Sequence, residues 1–142
     1  MSTLAEHIRK AAENVAQAFE QRYGHAPDFT EASLGFIDEM IGDASDFLPD
    51  MSPESVENTI QNFGCYILEV GRSEFGGEYR WHEGRDQPIL VVGEPSFHVA
   101  MITWDKVRGR LNGDEADNIP FFYEGFAKRA REAQPGGNFL YV

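Results

Sequence analysis

The chain of 142 residues contains one cysteine, Cys65, and no apolar run long enough to cross a bilayer. A lone cysteine cannot form an internal disulfide, so the cysteine content gives no sign of secretion. A membrane-spanning helix needs about 20 consecutive apolar residues. The first residues also lack the basic stretch and apolar run of a signal peptide. We therefore expect a cytoplasmic protein.

Positive charge is scarce, because 12 Lys and Arg residues stand against 24 Asp and Glu residues, for a net charge of −12. Nucleic-acid binding requires a basic surface that neutralises phosphates. Anionic membrane surfaces likewise attract basic segments. We therefore expect no nucleic-acid partner and no membrane partner.

Sequence motifs for catalysis or for cofactor binding are missing. The chain has no Gly-x-Ser-x-Gly elbow, no Walker loop and no dinucleotide fingerprint. Its four histidines, His7, His25, His82 and His98, do not have the spacing of metal ligands, and no Cys-x-x-Cys pair accompanies them. We assign no catalytic residue, cofactor or metal from the sequence, which favours a binding module over an enzyme.

The remaining composition is that of one folded domain covering residues 1–142. Hydrophobic residues make up 42% of the chain and aromatic residues 13%. A chain of this length buries enough surface to fold without a disulfide or a metal.

Apolar residues at three- and four-residue spacing predict three helices, over residues 3–23, 29–48 and 53–75. Each predicted start carries a residue whose side chain accepts hydrogen bonds from free N–H groups, as a helix N-cap does. The capping residues are Thr3 for the first helix, the segment Asp28-Phe29-Thr30-Glu31 for the second, and Ser52 for the third. Gly24 and Pro49 predict the ends of the first two helices.

The period changes to two after Gly77. Segments 78–82, 88–92 and 97–102 are predicted strands, and their short connections predict an antiparallel meander. The segment 88–92 is apolar at every position, as expected of a strand buried on both faces.

Two further helices and one strand complete the chain. We predict that Thr103 caps a helix to Leu111, that Asp117 caps a helix to residue 133, and that segment 139–142 joins the sheet. The expected fold is therefore α+β, with a three-helix N-terminal segment packed on an antiparallel meander of three to four strands, and two further helices.

The distribution of charge along the chain is uneven. No Lys or Arg occurs from Tyr23 to Gly71, a stretch with ten acidic residues. Glu39, Asp43 and Asp46 share one face of the second predicted helix, opposite its apolar stripe. This acidic stripe has two interpretations: a solvated face that keeps the protein soluble, or a docking surface for a basic protein.

A small-molecule site or an active site between helix 53–75 and the sheet is the alternative hypothesis. Its candidate residues are Cys65, Glu69, His82 and His98. The apolar surroundings of Cys65 favour an inert buried thiol over a reactive one.

Several motifs after residue 62 resemble those of a family of small bacterial proteins with a domain of unknown function. They are Phe63–Val70, Phe75-Gly76-Gly77 with Trp81, Trp104–Gly113, and Phe121-Phe122-Tyr123. The resemblance covers residues 63–142 and implies no activity or site residues. In size and acidity the chain is also similar to immunity proteins, which neutralise toxins by binding them.

Overall fold

The computed structural model describes residues 3–142, in which five α-helices and four β-strands form an α+β fold. The predicted fold class is confirmed. The elements are α1 Leu4–Tyr23, α2 Leu34–Ser45, α3 Pro53–Phe75, β1 Glu78–His82, β2 Gln87–Val92, β3 His98–Met101, α4 Trp104–Leu111, α5 Ile119–Glu132 and β4 Asn138–Tyr141. None of the helices in this part of the chain combines the length and apolarity needed to cross a membrane.

Local caps determine the ends of α1 and α3, as predicted. The Thr3 hydroxyl accepts the N–H of Glu6 at 3.1 Å, and the Ser52 hydroxyl accepts the N–H of Ser55 at 3.1 Å. Gly24 ends α1 with a φ of 82°, a conformation that glycine adopts without steric cost.

The predicted bounds of the second helix are wrong. The Asp28 carboxylate accepts hydrogen bonds from both the N–H and the hydroxyl of Thr30, which makes a turn where helix was expected. Phe29 has a φ of 56°, which no helical residue adopts. A 3-10 turn at Glu31–Ser33 follows, and α2 ends at Ser45 before a second 3-10 turn at Leu48–Asp50.

The four strands lie in the order β1-β2-β3-β4. The first three form the predicted antiparallel meander. The fourth is parallel to β3, with Ala100 beside Leu140, so an antiparallel fourth strand is wrong. Since α4 and α5 carry the chain back along the sheet, β4 runs in the same direction as β3.

Two predicted caps are also wrong. The Thr103 hydroxyl donates to the Gly64 carbonyl at 2.7 Å, which ties α4 to α3 instead of capping α4. The side chain of Asn118 caps α5 by accepting the N–H of Phe121 at 2.9 Å. The Asp117 carboxylate instead accepts a hydrogen bond from the Lys106 ammonium at 2.9 Å.

The helices pack on the face of the sheet that carries Leu90, Val92, Val99 and Met101. Phe63, Ile67 and Val70 of α3 are buried in this core. The two faces of β2 belong to different hydrophobic clusters. Leu90 and Val92 pack against the helices, whereas Ile89 and Val91 pack with Ala100 and Ile102 on the other side of the sheet. The prediction that this strand is buried on both faces is confirmed.

Candidate ligand-binding cleft

Glu69 is an acidic side chain buried on α3, with 6% of its surface exposed. The Tyr79 hydroxyl, from β1, donates to its Oε2 at 2.6 Å, and the Arg9 guanidinium, from α1, lies 3.3 Å from its Oε1. Burial, followed by the hydrogen bond to Glu69, raises the pKa of Tyr79. The phenol therefore stays protonated and keeps donating to the carboxylate, which satisfies a charge that would be costly to bury alone.

Arg72 lies one turn after Glu69 on α3, and its guanidinium is 5.1 Å from the centre of the Tyr79 ring. Seven of the nine arginines in the sequence have a carboxylate within 4.0 Å. Within residues 3–142, Arg72 and Arg129 have no such partner, although acids outnumber bases two to one. Arg72 therefore has its guanidinium free for another anion.

The cleft above these groups has a volume of about 520 Å³. It is lined by Arg9, Asp28, Phe29, Glu69, Arg72 and Ser73. Volumes of this size are typical of sites for small molecules. The cleft lies between α1, α3 and the loop that precedes α2.

The loop side of the cleft holds an unusual backbone conformation. Phe29 has a positive φ, and its ring stacks on the Tyr66 ring at 4.6 Å between centroids. The Tyr66 hydroxyl in turn lies 2.8 Å from the Ser33 hydroxyl. Hydrogen bonds from Thr30 lower the pKa of Asp28, so this carboxylate stays charged at the rim. Backbone strain of this kind is often found at ligand-binding sites, where surrounding contacts hold it in place.

The four candidate pocket residues do not come together. Of this set, Glu69 alone lines the cleft. Cys65 faces a separate cavity that also borders Trp81 and Trp104. His82 accepts the N–H of Arg85 through Nδ1 at 3.1 Å, and Nδ1 of His98 lies 2.9 Å from a carboxylate oxygen of Glu94.

Cys65 is 3% exposed, and burial raises the pKa of its thiol to about 12. At neutral pH the group is therefore a neutral thiol and a poor nucleophile. No group of three or more His, Cys, Asp or Glu side chains among residues 3–142 has an arrangement that could hold a metal ion.

The acidic stripe of Glu39 and Asp43 on α2, with Asp46 directly after the helix, is exposed. Two of its carboxylates nevertheless bind a cation of the same chain. The Arg22 guanidinium, from the last turn of α1, is 2.9 Å from Glu39 and also binds Asp43. These two carboxylates raise the pKa of Arg22. Part of the charge of the stripe is therefore neutralised.

The uneven charge along the sequence is balanced in the fold. Six of the ten acids between residues 23 and 71 bind arginines from outside that stretch. The pairs are Glu31–Arg131, Asp38–Arg110, Glu39–Arg22, Asp43–Arg22, Glu57–Arg108 and Glu69–Arg9. Intramolecular pairing therefore accounts for much of the segregation of basic residues to the two ends of the chain.

No family model, curated protein or solved structure matches the chain. The resemblance of residues 63–142 to a small bacterial family, and the likeness to immunity proteins, stay predictions.

Arg9, Arg72 and Tyr79 were not among the site residues predicted from the sequence. One signal was present in the pattern, since Arg72 is the first base after the acidic stretch and lies three residues from Glu69. Residues with this spacing share a helix face. The contributions of α1 and β1 depend on tertiary packing, which helical periodicity does not reveal.

Proposed function

We propose that this chain binds a small anionic molecule in the cleft between α1 and α3. The proposal rests on Arg72, whose guanidinium lines the cleft. Within residues 3–142 no carboxylate lies within 4.0 Å of this guanidinium, although the chain is strongly acidic. This guanidinium lies over the Tyr79 ring, and Arg9, which also lines the cleft, supplies a second guanidinium 3.3 Å from Glu69. Guanidinium groups bind carboxylate and phosphate through paired hydrogen bonds.

The acids of the cleft add selectivity to this proposal. Glu69 and Asp28 repel an anion that fills the whole cleft, while they accept hydrogen bonds from N–H or O–H groups. The ligand is therefore expected to carry a carboxylate or phosphate at one end and hydrogen-bond donors at the other. The Ser73 hydroxyl also lines the cleft and can bind either end of such a ligand, because a hydroxyl both donates and accepts hydrogen bonds.

The test uses inorganic phosphate and succinate as probes of the two anion chemistries, with binding measured by NMR titration of the backbone amides. We expect one of them to shift amides around Arg9 and Arg72. Replacing Arg72 by alanine removes a charge-assisted hydrogen bond and is expected to weaken binding by about 10- to 100-fold.

The matched control is Arg129→Ala, because Arg129 is the other arginine without a carboxylate partner in the described residues 3–142. Its guanidinium stacks on Phe139, 4.0 Å from the ring centroid. This variant should bind the probe as the wild type does. The proposal fails if neither probe binds, or if the two alanine variants lose affinity equally.

A second candidate function is docking of a basic protein, immunity- or adaptor-like, on the acidic stripe of α2. The observation that favours it is Phe47, a large apolar side chain that is 65% exposed next to Asp46. Aromatic side chains are enriched at the cores of protein interfaces, and polar groups form the rim. A basic partner would compete with Arg22 for Glu39 and Asp43, so its association should weaken as salt rises.

The test neutralises the stripe with Glu39→Gln, Asp43→Asn and Asp46→Asn together and compares the proteins captured at low and moderate salt. The matched control neutralises Glu13, Glu20 and Glu132, which are exposed on other helix faces. Loss of a basic partner in the stripe variant alone supports this function. The same captured proteins and salt dependence in both variants would make the stripe a solvated face.

A further inference from the structure

Exposed apolar surface is concentrated around β4. Seven large apolar side chains are exposed in residues 3–142, and four of them lie on or beside this strand. These four are Phe121, Phe139, Leu140 and Val142, exposed by 74%, 37%, 47% and 41%. Concentrated apolar exposure of this kind marks interaction surfaces.

The two edges of the sheet differ in their protection. Strands β1 and β4 are the edges. The β1 edge carries Glu78 and Arg80, and such charges discourage pairing with another strand. Residues 133–142 contain no charged side chain, in a chain of which 25% is charged. One edge is therefore protected and the other is open.

The backbone of β4 presents a regular row of hydrogen-bonding groups at the open edge. His98 donates its N–H to the Gly137 carbonyl at 2.8 Å, and Ile102 donates to the Tyr141 carbonyl at 2.9 Å. Because backbone groups alternate in direction along a strand, residues 137, 139 and 141 face β3. The N–H and C=O groups of Asn138 and Leu140 consequently point to the free edge.

We infer that two copies of this chain pair through β4 in antiparallel orientation, with the two Leu140 residues opposite each other. In this register each Leu140 donates its N–H to the carbonyl of the other Leu140 and accepts the reciprocal bond. Phe139 of each copy lies opposite Tyr141 of the other, on the face that packs against the helices. The two four-stranded sheets become one eight-stranded sheet.

Charge favours a second copy at this edge over other parts of the surface. Each chain carries a net charge of −12, so two copies repel each other wherever acidic surfaces meet. The uncharged segment 133–142 allows close approach. The Arg129 guanidinium stacks on Phe139 and donates to the Tyr141 hydroxyl at 3.2 Å. Lys106, Lys128 and Glu124 line a cleft with Tyr141 and Val142, so the charges beside this strand are mainly positive. Salt screens the overall repulsion, so the dimer should become tighter as salt rises.

The main test is Leu140→Pro, followed by sedimentation equilibrium at low and high salt. Proline removes the N–H that points to the free edge and leaves the bonds between β3 and β4 in place. A symmetric dimer loses two hydrogen bonds, so we expect the dimer to weaken by about 10- to 100-fold. Leu140→Ala is the matched control, because it shortens the side chain and keeps both N–H groups. Thermal unfolding of both variants checks that the monomer stays folded.

Disulfide crosslinking between two copies tests the proposed register of the two β4 strands. Opposite residues of a hydrogen-bonded pair have Cα atoms about 5.5 Å apart, a distance that a disulfide spans. Leu140→Cys should therefore form a disulfide between two copies under mild oxidation, while buried Cys65 stays unreacted. Phe121→Cys, exposed nearby but outside the strand, is the control and should crosslink more slowly.

Three results would each overturn the inference. They are a wild-type chain that stays monomeric at both salt concentrations, a dimer that Leu140→Pro leaves as tight as before, and equal crosslinking of the two cysteine variants.

Discussion

Replacing Asp38 by alanine removes the carboxylate that joins α2 to α4 and α5. One of its oxygens accepts hydrogen bonds from Nε of Arg110 at 3.1 Å and from the N–H of Ile119 at 3.0 Å. The other accepts from Nη2 of Arg110 at 3.3 Å. The side chains of Asp38 and Arg110 are 14% and 18% exposed, so water reaches this pair only in part. The variant leaves a largely buried guanidinium without its counter-charge.

Breaking a fully buried ion pair on one side costs about 3–5 kcal/mol. The remaining exposure reduces this figure, and we expect Asp38→Ala to lower the free energy of unfolding by about 2–4 kcal/mol. Urea denaturation measures it, since the midpoint shifts while the slope stays constant if only stability changes. Asp46→Ala, at the exposed residue that follows α2, is the matched control and should change stability by less than about 0.5 kcal/mol.

A double-mutant cycle with Arg110→Met separates the ion pair from the other effects of each change. Methionine keeps part of the apolar stem of Arg110 and removes the charged guanidinium, which lies beside Gly42. We expect a coupling energy of about 1–3 kcal/mol between the two positions. Additive losses, or a loss below about 1 kcal/mol for Asp38→Ala, would refute the view that this pair holds the three helices together.

Three further predictions concern single side chains. Phe63→Ala should lower the free energy of unfolding by about 3–5 kcal/mol in denaturant melts, and a loss below about 1 kcal/mol would place Phe63 outside the core. Cys65 should resist thiol reagents in the folded protein and react in urea, because burial raises its pKa to about 12; fast labelling of the native chain would contradict this. Hydrogen bonds from Arg80 and then His98 lower the pKa of Glu94 from 4.5 to about 2. The stabilisation by this carboxylate is therefore complete above pH 4.5 and is lost as the pH falls through about 2. NMR titration should show this midpoint and its rise in Arg80→Gln, whereas a native midpoint of 4.5 would exclude the interaction.

Local chemistry accounts for the parts of the fold that were predicted correctly. The ends of α1 and the start of α3 depend on Thr3, Gly24 and Ser52, each of which acts on residues within one turn. The start of α2 was predicted wrongly, because Asp28 was expected to cap a helix directly and instead forms a turn with Thr30. The positive φ of Phe29 follows from packing on Tyr66, which is distant in sequence.

Relations between distant segments account for the rest. The direction of β4 depends on how α4 and α5 return the chain, and no residue within β4 encodes it. Glu69 was a candidate site residue because it lies on α3, yet its contacts come from Arg9 and Tyr79, on α1 and β1. The helical and strand periods place each of these residues on a face, and only the packing of the elements brings them together.

The pairing of an acidic middle with basic ends has a consequence for the order of events during protein synthesis. Residues 1–62 leave the ribosome with twelve acidic and three basic residues. The arginines that bind Glu57, Asp38 and Glu31 follow them by 51, 72 and 100 positions. Glu39 and Asp43 already have Arg22 of α1, but Asp38, Glu31 and Glu57 lack their arginines until α4 and α5 have emerged, and the excess negative charge opposes compaction. We therefore expect the three-helix segment to complete its packing late in synthesis, and dissolved salt to screen the unpaired acids in the shorter nascent chains.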